Sequence, residues 1–384
     1  MDPNVEKFEK LFGRLPQYVF KTPGRTELSG NHTDHQQGMV LCAAVDLQIR
    51  AWVCSNGLPV INIYSEGYEP FTIDMNDIDV HEEEYGTPKS IVRGTISQFV
   101  RLGLYGFDAY IVSDIPAGYG LSSSAAFEIL IATICNELAG LEKNDNELAH
   151  LAKYVENEYF GKPCGLMDQM ACTANSIMAI DFNDRDYPDI WDIDLDFEEY
   201  GFKLCLVKCG KGHADLTGCY ASIPEDIKKV NDVFGTDFLR DVDEEKFYEK
   251  LPALREQCGD RAVLRAIHVF NENKRVMAQK DALRAGDIDT YLALVKESGR
   301  SSWELLQNVI PPGSCEHQDM AVALALAEKL LEGEGACRVH GGGFAGTIQA
   351  YVPLDKTDAF KEGMEAVFGK DCCLFIKLLT RNMR

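Results

Sequence analysis

The segment Pro116–Ser124, PAGYGLSSS, places small and hydroxyl-bearing residues between a strand-like and a helix-like stretch. Backbone N–H groups of such a loop converge, and the helix N-terminus that follows adds roughly half a positive charge. Together they can cradle a phosphate. Ser122, Ser123 and Ser124 add hydroxyls for phosphate oxygens or a Mg²⁺ ion. The plainer reading is that Ser122 or Ser123 only caps the helix. No Walker A pattern occurs in the chain. A second glycine cluster, Gly341–Gly346, formally fits GxGxxG. The residues after it, TIQAYVP, are strand-like and not a helix start, which excludes a dinucleotide fold. Glycines between two strands still permit close backbone approach to a ligand.

The third chemical segment is Pro23–Gly38, PGRTELSGNHTDHQQG, read as a loop dense in directional groups: Arg25, Glu27, Asn31, His32, Asp34 and His35. No further His or Cys gathers near His32 and His35, so zinc is disfavoured. A polyol needs many donors and acceptors, so a polar sugar-binding or catalytic loop is the natural reading. Glu156 precedes GKPCGLMDQM, where Asp168 sits among Leu166, Met167 and Met170. A carboxylate in apolar surroundings is costly unless paired, and Arg25 is the candidate partner. A helix N-cap is the alternative role for Asp168.

The elements that must hold these groups follow from periodicity. Strands are expected within 39–55, 58–67 and 107–116, a helix over 88–104, and an apolar helix after Ser124 that Gly140 stops. Leu148, Leu151, Val155 and Tyr159 mark an amphipathic helix over 146–160. A strand FKLCLVKCG opens the second half. Helix-rich stretches at 224–233, 243–285, 288–309 and 317–332 follow, then strand, glycine loop and strand. The order predicts an α+β protein of two lobes. Their boundary falls in the acidic segment 184–200, whose apolar alternation also fits a surface hairpin.

The chain has 384 residues, a hydrophobic fraction of 46% and a net charge of −23. That composition is globular, and the length suits two domains. Its charge argues against nucleic acid and anionic membrane as partners, both being polyanions. The N-terminal residues lack a signal-type apolar run, and no stretch has the roughly 18 apolar residues of a membrane span. The 13 cysteines form no CxxC pair, which suits free thiols in a reducing cytoplasm. A cytoplasmic monomer is the expectation.

Three segments in order resemble the motifs of the GHMP small-molecule kinases, and specifically of the galactokinases. PGRTELSGNHTDHQQGMVL resembles PGRxNLIGEHTDYNxGxVL, PAGYGLSSSAA the phosphate loop, and RVHGGGFAGT the third motif RMTGAGFGG. ENEYFGKPCGLMDQM is also close to the pattern ahead of the family's catalytic Asp. The resemblance spans nearly the whole chain. It implies an N-terminal lobe of the ribosomal protein S5 domain 2-like type (1–195) and a C-terminal ferredoxin-like lobe (196–384), with the active site between them. It implies ATP, Mg²⁺ and a galactose substrate phosphorylated at its anomeric hydroxyl. On it, Asp168 is the general base and Arg25 holds that base ionised. Gly118, Gly120, Leu121, Ser122, Ser123, Ser124 and Ala125 cradle the nucleotide phosphates. Ser124 and Glu156 are the Mg²⁺ ligands. Asn31, His32, Asp34, Gly165 and Tyr220, seven residues after His213, meet the sugar.

The chain departs from the pattern where Asn31 replaces the usual Glu, His35 the usual Tyr and Glu27 the usual Asn. In the galactokinases that Glu accepts from the sugar's C-6 hydroxyl. An uncharged Asn that donates as well as accepts would tolerate a C-6 carboxylate. Galacturonate, or another galactose-like sugar, is therefore the alternative substrate, with His35 a candidate cation. A non-catalytic sugar- and ATP-binding regulator is the second alternative, although Ser122–Ala126, Asp168 and Arg25 are complete.

Overall fold

The computed structural model describes residues 2–162, 164–174, 176–184, 186–210, 216–344 and 346–380. The strands are β1 Tyr18–Ser29, β2 Met39–Ser55, β3 Val60–Ser65, β4 Phe71–Asp74, β5 Phe107–Ser113, β6 Ile177–Asp181, β7 Asp189–Ile193, β8 Phe202–Lys208, β9 Ala336–Val339, β10 Thr347–Pro353 and β11 Cys373–Ile376. The helices are α1 Pro3–Phe12, α2 Pro88–Phe99, α3 Ser123–Leu138, α4 Asp145–Glu158, α5 Met167–Thr173, α6 Thr217–Phe234, α7 Glu244–Glu249, α8 Leu251–Cys258, α9 Asp260–Ala285, α10 Ile288–Ser301, α11 Asp319–Leu331 and α12 Thr357–Phe368. Two compact units result: residues 1–25, 44–117 and 121–174 form the first, and 26–43, 118–120 and 175–384 the second. This grouping differs from a single cut after residue 195. Strands β1 and β2 begin in one unit and end in the other, and three residues of the glycine-rich loop side with the second.

In the first unit, β3 lies parallel to β5 and antiparallel to β4, while β5 runs antiparallel to β2. Strand period places Trp52, Cys54, Tyr64, Tyr110 and Val112 on the face that receives Val5, Phe8 and Phe12 of α1. The alternate residues Ala51, Val53, Ala109 and Ile111 are equally buried on the other face. Helices α2, α3, α4 and α5 pack on one another, with Ile91, Val155 and Tyr159 between them. Asn144 opens α4 with a capping box to Glu147, which fixes where the helix carrying Glu156 starts.

In the second unit, residues 39–43 of β2 pair with β6, and β6 with β7. The other sheet is antiparallel in the order β11-β8-β10-β9. Numbered along the chain, that is 4-1-3-2, with α6–α11 in the first crossover and α12 in the second. This is the ferredoxin-like β-α-β-β-α-β arrangement that the family resemblance implies. Val207, Ala323, Ala327, Ile348, Ala350, Phe360 and Met364 form the core between this sheet and α11 and α12. Helices α6 to α9 enclose a separate core around Ile227, Leu254, Ala266 and Phe247.

Several expectations need revision. Residues 23–29 are strand and not loop: Arg25, Thr26, Glu27 and Ser29 are buried and paired, so their polar groups are satisfied inside the fold. Helix α6 begins at Thr217, seven residues before Pro224, because Leu216, Cys219 and Tyr220 pack on the helical core. The acidic segment 184–200 contributes β7 to a hairpin with β6. Helix α12 and strand β11 are elements the periodicity does not anticipate.

Candidate active site

In the first unit, Arg25 is delivered by β1 and Asp168 by the first turn of α5. Arg25 donates from Nε to Asp168 Oδ1 and from Nη2 to Oδ2, both at 2.8 Å. This planar two-point pairing is specific to guanidinium. Ser122 Oγ donates to Asp168 Oδ2 at 2.6 Å. Ser122 is the residue before α3, yet its side chain makes no cap hydrogen bond. It adopts φ 49°, a left-handed conformation that a side chain tolerates only under constraint. The backbone turn thus aims the hydroxyl at Asp168 and leaves the helix N-terminal N–H groups without a serine cap. Burial pushes the Asp168 carboxyl up, but the charge and hydrogen bonds of Arg25 and the Ser122 hydroxyl outweigh it, so it lies below the ordinary range. Its side chain is 32% exposed. A carboxylate has about four acceptor positions. Among the described residues three are taken, which leaves one on Oδ1 that could receive a hydroxyl proton.

Behind this pair lies a buried acidic cluster. Glu156 accepts from Lys162 Nζ at 3.0 Å through Oε1 and from Gln169 Nε2 at 2.6 Å through Oε2. The same Gln169 nitrogen donates to Glu128 Oε2 at 3.1 Å. Burial first, and Glu156 second, push the Glu128 carboxyl up to about 8. Ser124 lies half-exposed in the first turn of α3, with Ser123 exposed before it and Leu121 and Ala125 buried on either side. Leu121 O accepts from the Arg25 N–H at 3.1 Å, which ties this loop end to β1. Gly165 lies half-buried in the segment between α4 and α5.

In the second unit, the residues after β1 meet the glycine cluster between β9 and β10. Asn31 is fully buried. Its Nδ2 donates to Gly341 O at 2.5 Å and to Glu27 Oε1 at 3.1 Å, and its Oδ1 accepts from Asn308 Nδ2 at 2.6 Å. Glu27 in turn accepts from Arg338 Nη2 at 2.8 Å. The Asn31 amide is thus engaged inside the protein, which weakens the case for its admitting a C-6 carboxylate. His32, Asp34 and His35 are partly exposed. His32 Nε2 faces Gly342 O at 3.0 Å and so carries the proton; His32 Nδ1 then accepts from His35 Nε2 at 3.2 Å. Burial lowers His32 to about 3 and His35 to about 4, so both are neutral near pH 7 and His35 supplies no cation. Tyr220 donates to Gly343 O at 3.0 Å. Its ring covers Gly342, where a Cβ would lie 2.7 Å from Tyr220 Cε1. His213 and Ala345 lie outside the described residues. Gly118 and Gly120, also in this unit, have φ 85° and 71°. A Cβ on Gly118 would meet Lys208 Nζ at 2.7 Å, and one on Gly120 would meet His340 Nδ1 at 2.8 Å.

Motif reading misses the helix that holds the segment after β1. His268 Nε2 bonds Asn31 O at 3.0 Å. Glu272 Oε1 accepts from Ser29 Oγ, Gly30 N–H and Ser298 Oγ at 3.0, 3.1 and 2.6 Å, and Asn273 Oδ1 accepts from Met39 N–H at 2.8 Å. The available signal was two polar residues, His268 and Glu272, four apart on one face of α9. Asn308 and Lys208 carry no such signal.

Residues 90–176 match the GHMP kinases N terminal domain, and residues 6–54 match the galactokinase galactose-binding signature. The structure of Methanococcus jannaschii mevalonate kinase aligns over 94% of this chain and 98% of that one, with TM-score 0.65 and 17% identity. The structure of Lactococcus lactis galactokinase complexed with galactose aligns over 98% of this chain and 97% of that one, with TM-score 0.81 and 23% identity. The fold is therefore that of the GHMP kinases. Galactokinases of Streptomyces coelicolor and Enterococcus faecalis are each 30% identical over 370 residues, which is 94% of this chain and 92% of theirs. The chain belongs to the galactokinase family.

Proposed function

We propose that this chain is a sugar kinase that transfers the γ-phosphoryl group of ATP to the anomeric hydroxyl of galactose. The observation that carries the reading is the two-point Arg25–Asp168 pair with one acceptor position left on Oδ1. Asp168 accepts the proton of the C-1 hydroxyl, whose oxygen bonds to the γ-phosphorus as the bond to ADP breaks. Arg25 keeps Asp168 ionised at neutral pH, at the cost of making it a weak base. Phosphoryl transfer tolerates a weak base, because its transition state asks mainly for positioning and charge neutralisation. Residues Gly118–Ala125 offer backbone N–H groups to the nucleotide phosphates. His32, Asp34, Gly165 and Tyr220 serve the sugar, while Asn31 holds the Gly341–Gly342 backbone next to His32 and Tyr220.

Ser124 and Glu156 supply hydroxyl and carboxylate oxygens, the hard donors that suit Mg²⁺. The buried Glu128 Oε1 has no hydrogen-bond partner among the described residues, an orphaned oxygen in the cluster that holds Glu156. The residues therefore fit Mg²⁺, which when bound there would offset charge on the phosphates.

The galactose reading is supported by the family, by the inward engagement of Asn31 and by two neutral histidines that offer no countercharge to a uronate. ADP release measured with galactose, glucose and galacturonate tests it. Galactose is expected to give the highest kcat/KM; a higher value for galacturonate, or sugar binding without turnover, would overturn it.

A further inference from the structure

Glu128 is a fully buried glutamate, which is rare. Leu or Met would fill the same volume without the cost of burying a carboxyl group. Its position on α3 is four residues after Ser124, so the two lie one turn apart on one face of the helix. The Gln169 amide nitrogen bridges Glu128 Oε2 on α3 and Glu156 Oε2 on α4. Glu156 is otherwise held at Oε1 by Lys162, whose side chain is 60% exposed and lies toward solvent. Without the bridge, the Glu156 carboxylate would be left to Lys162 and the neighbouring Cys164 thiol. Among the described residues, Glu128 Oε1 and Gln169 Oε1 are both buried without hydrogen-bond partners, so the pair keeps polar capacity that packing alone would not require.

We propose that Glu128 and Gln169 are positioning residues for the divalent cation, a crosslink that fixes the carboxylate of Glu156 against the helix carrying Ser124. The proposal rests on the reading of Ser124 and Glu156 as the cation-holding residues. Gln169 also follows Asp168 directly in α5, so one short helix supplies both the base and the tie. Groups that orient metal-binding carboxylates typically change metal affinity by about 10–100-fold when removed.

The test is Mn²⁺ binding to the full chain in the presence of ADP, read from the electron paramagnetic resonance of free Mn²⁺, with galactose binding measured by calorimetry alongside. Glu128→Leu removes the acceptor, and Gln169→Asn keeps the amide but is too short to bridge; the second is the milder change should the first fail to fold. Both are expected to weaken Mn²⁺ binding about 10–100-fold and leave galactose affinity within about twofold. Glu128→Gln, which still accepts from Gln169, is expected to restore most of the affinity. Wild-type Mn²⁺ affinity in folded Gln169→Asn, or an equal loss in Glu128→Gln and Glu128→Leu, would overturn the crosslink alone. A wild-type protein that binds no Mn²⁺ with ADP would overturn the underlying reading.

Discussion

Exchanging the charge between Glu27 and Asn31 gives a prediction with a calculable size. Asn31 Nδ2 lies 3.1 Å and 3.3 Å from the two Glu27 oxygens, and Glu27 pairs with the buried Arg338. Asn31→Glu sets a second carboxylate there. Two unit charges about 3.2 Å apart repel by roughly 5 kcal/mol at an effective dielectric of about 20. With Arg338 shared between them, a net loss of about 3 kcal/mol is expected, or a fall in Tm of roughly 4 °C for a chain of 384 residues. One of the two carboxyls must then hold a proton, so the variant should regain stability as pH falls. Glu27→Gln alone strands the Arg338 charge and should cost about 3–5 kcal/mol. The double variant again has one carboxylate and one amide beside Arg338. It should be more stable than the two losses added together predict, by at least about 2 kcal/mol. Urea denaturation of the four proteins measures this. Additivity within about 0.5 kcal/mol would refute the claim that the two positions share one charge.

Other outcomes follow from the same geometry. Arg25→Met should cost about 10²–10³ in kcat, a loss typical of one electrostatic contact at the reacting centre. It should also move the acid limb of the pH–rate profile to higher pH, because the charge that depresses the Asp168 carboxyl is gone; an unmoved limb would count against the pairing. Gly342→Ala puts a Cβ 2.7 Å from the Tyr220 ring. The displaced loop should lower kcat/KM for galactose by about 10–100-fold, with Tm nearly unchanged. Glu272 is pushed up by burial but held at about 2, against an ordinary 4.5, chiefly by the His268, Arg275 and Arg338 charges. Its folded pKa is depressed, so its contribution is present above pH 4.5 and lost as pH falls toward 2. Glu272→Gln should be less stable at neutral pH and show a shallower acid loss over that window in thermal denaturation; matching slopes would contradict this.

The motifs were legible because each is short in sequence and chemically dense. The turn at Ser122, the acid in α5 and the glycine cluster announce themselves within ten residues. The alternation of β2 and β5 and the periodicity of α4 are likewise local signals. What could not be read was set by partners distant in the chain. Glu27 looks like a loop acid until Arg338 is placed beside it, 311 residues on. Asn31 looks like a ligand-facing amide until Asn308 and Gly341 take up its amide groups. The histidines of the loop look like potential cations until burial lowers both. The grasp of α9 on Ser29, Gly30 and Met39 depends on tertiary placement, and no spacing along the chain foretells it.

The central claim is that Asp168 is the base of a galactose-directed phosphoryl transfer. Its most direct test is single-turnover formation of galactose 1-phosphate by Asp168→Asn, with galactose and ATP affinities measured on the same protein. Asp168→Asn is expected to retain binding of both substrates and to react at least about 10²-fold more slowly. A folded variant that transfers phosphate at a rate near the wild type would contradict it.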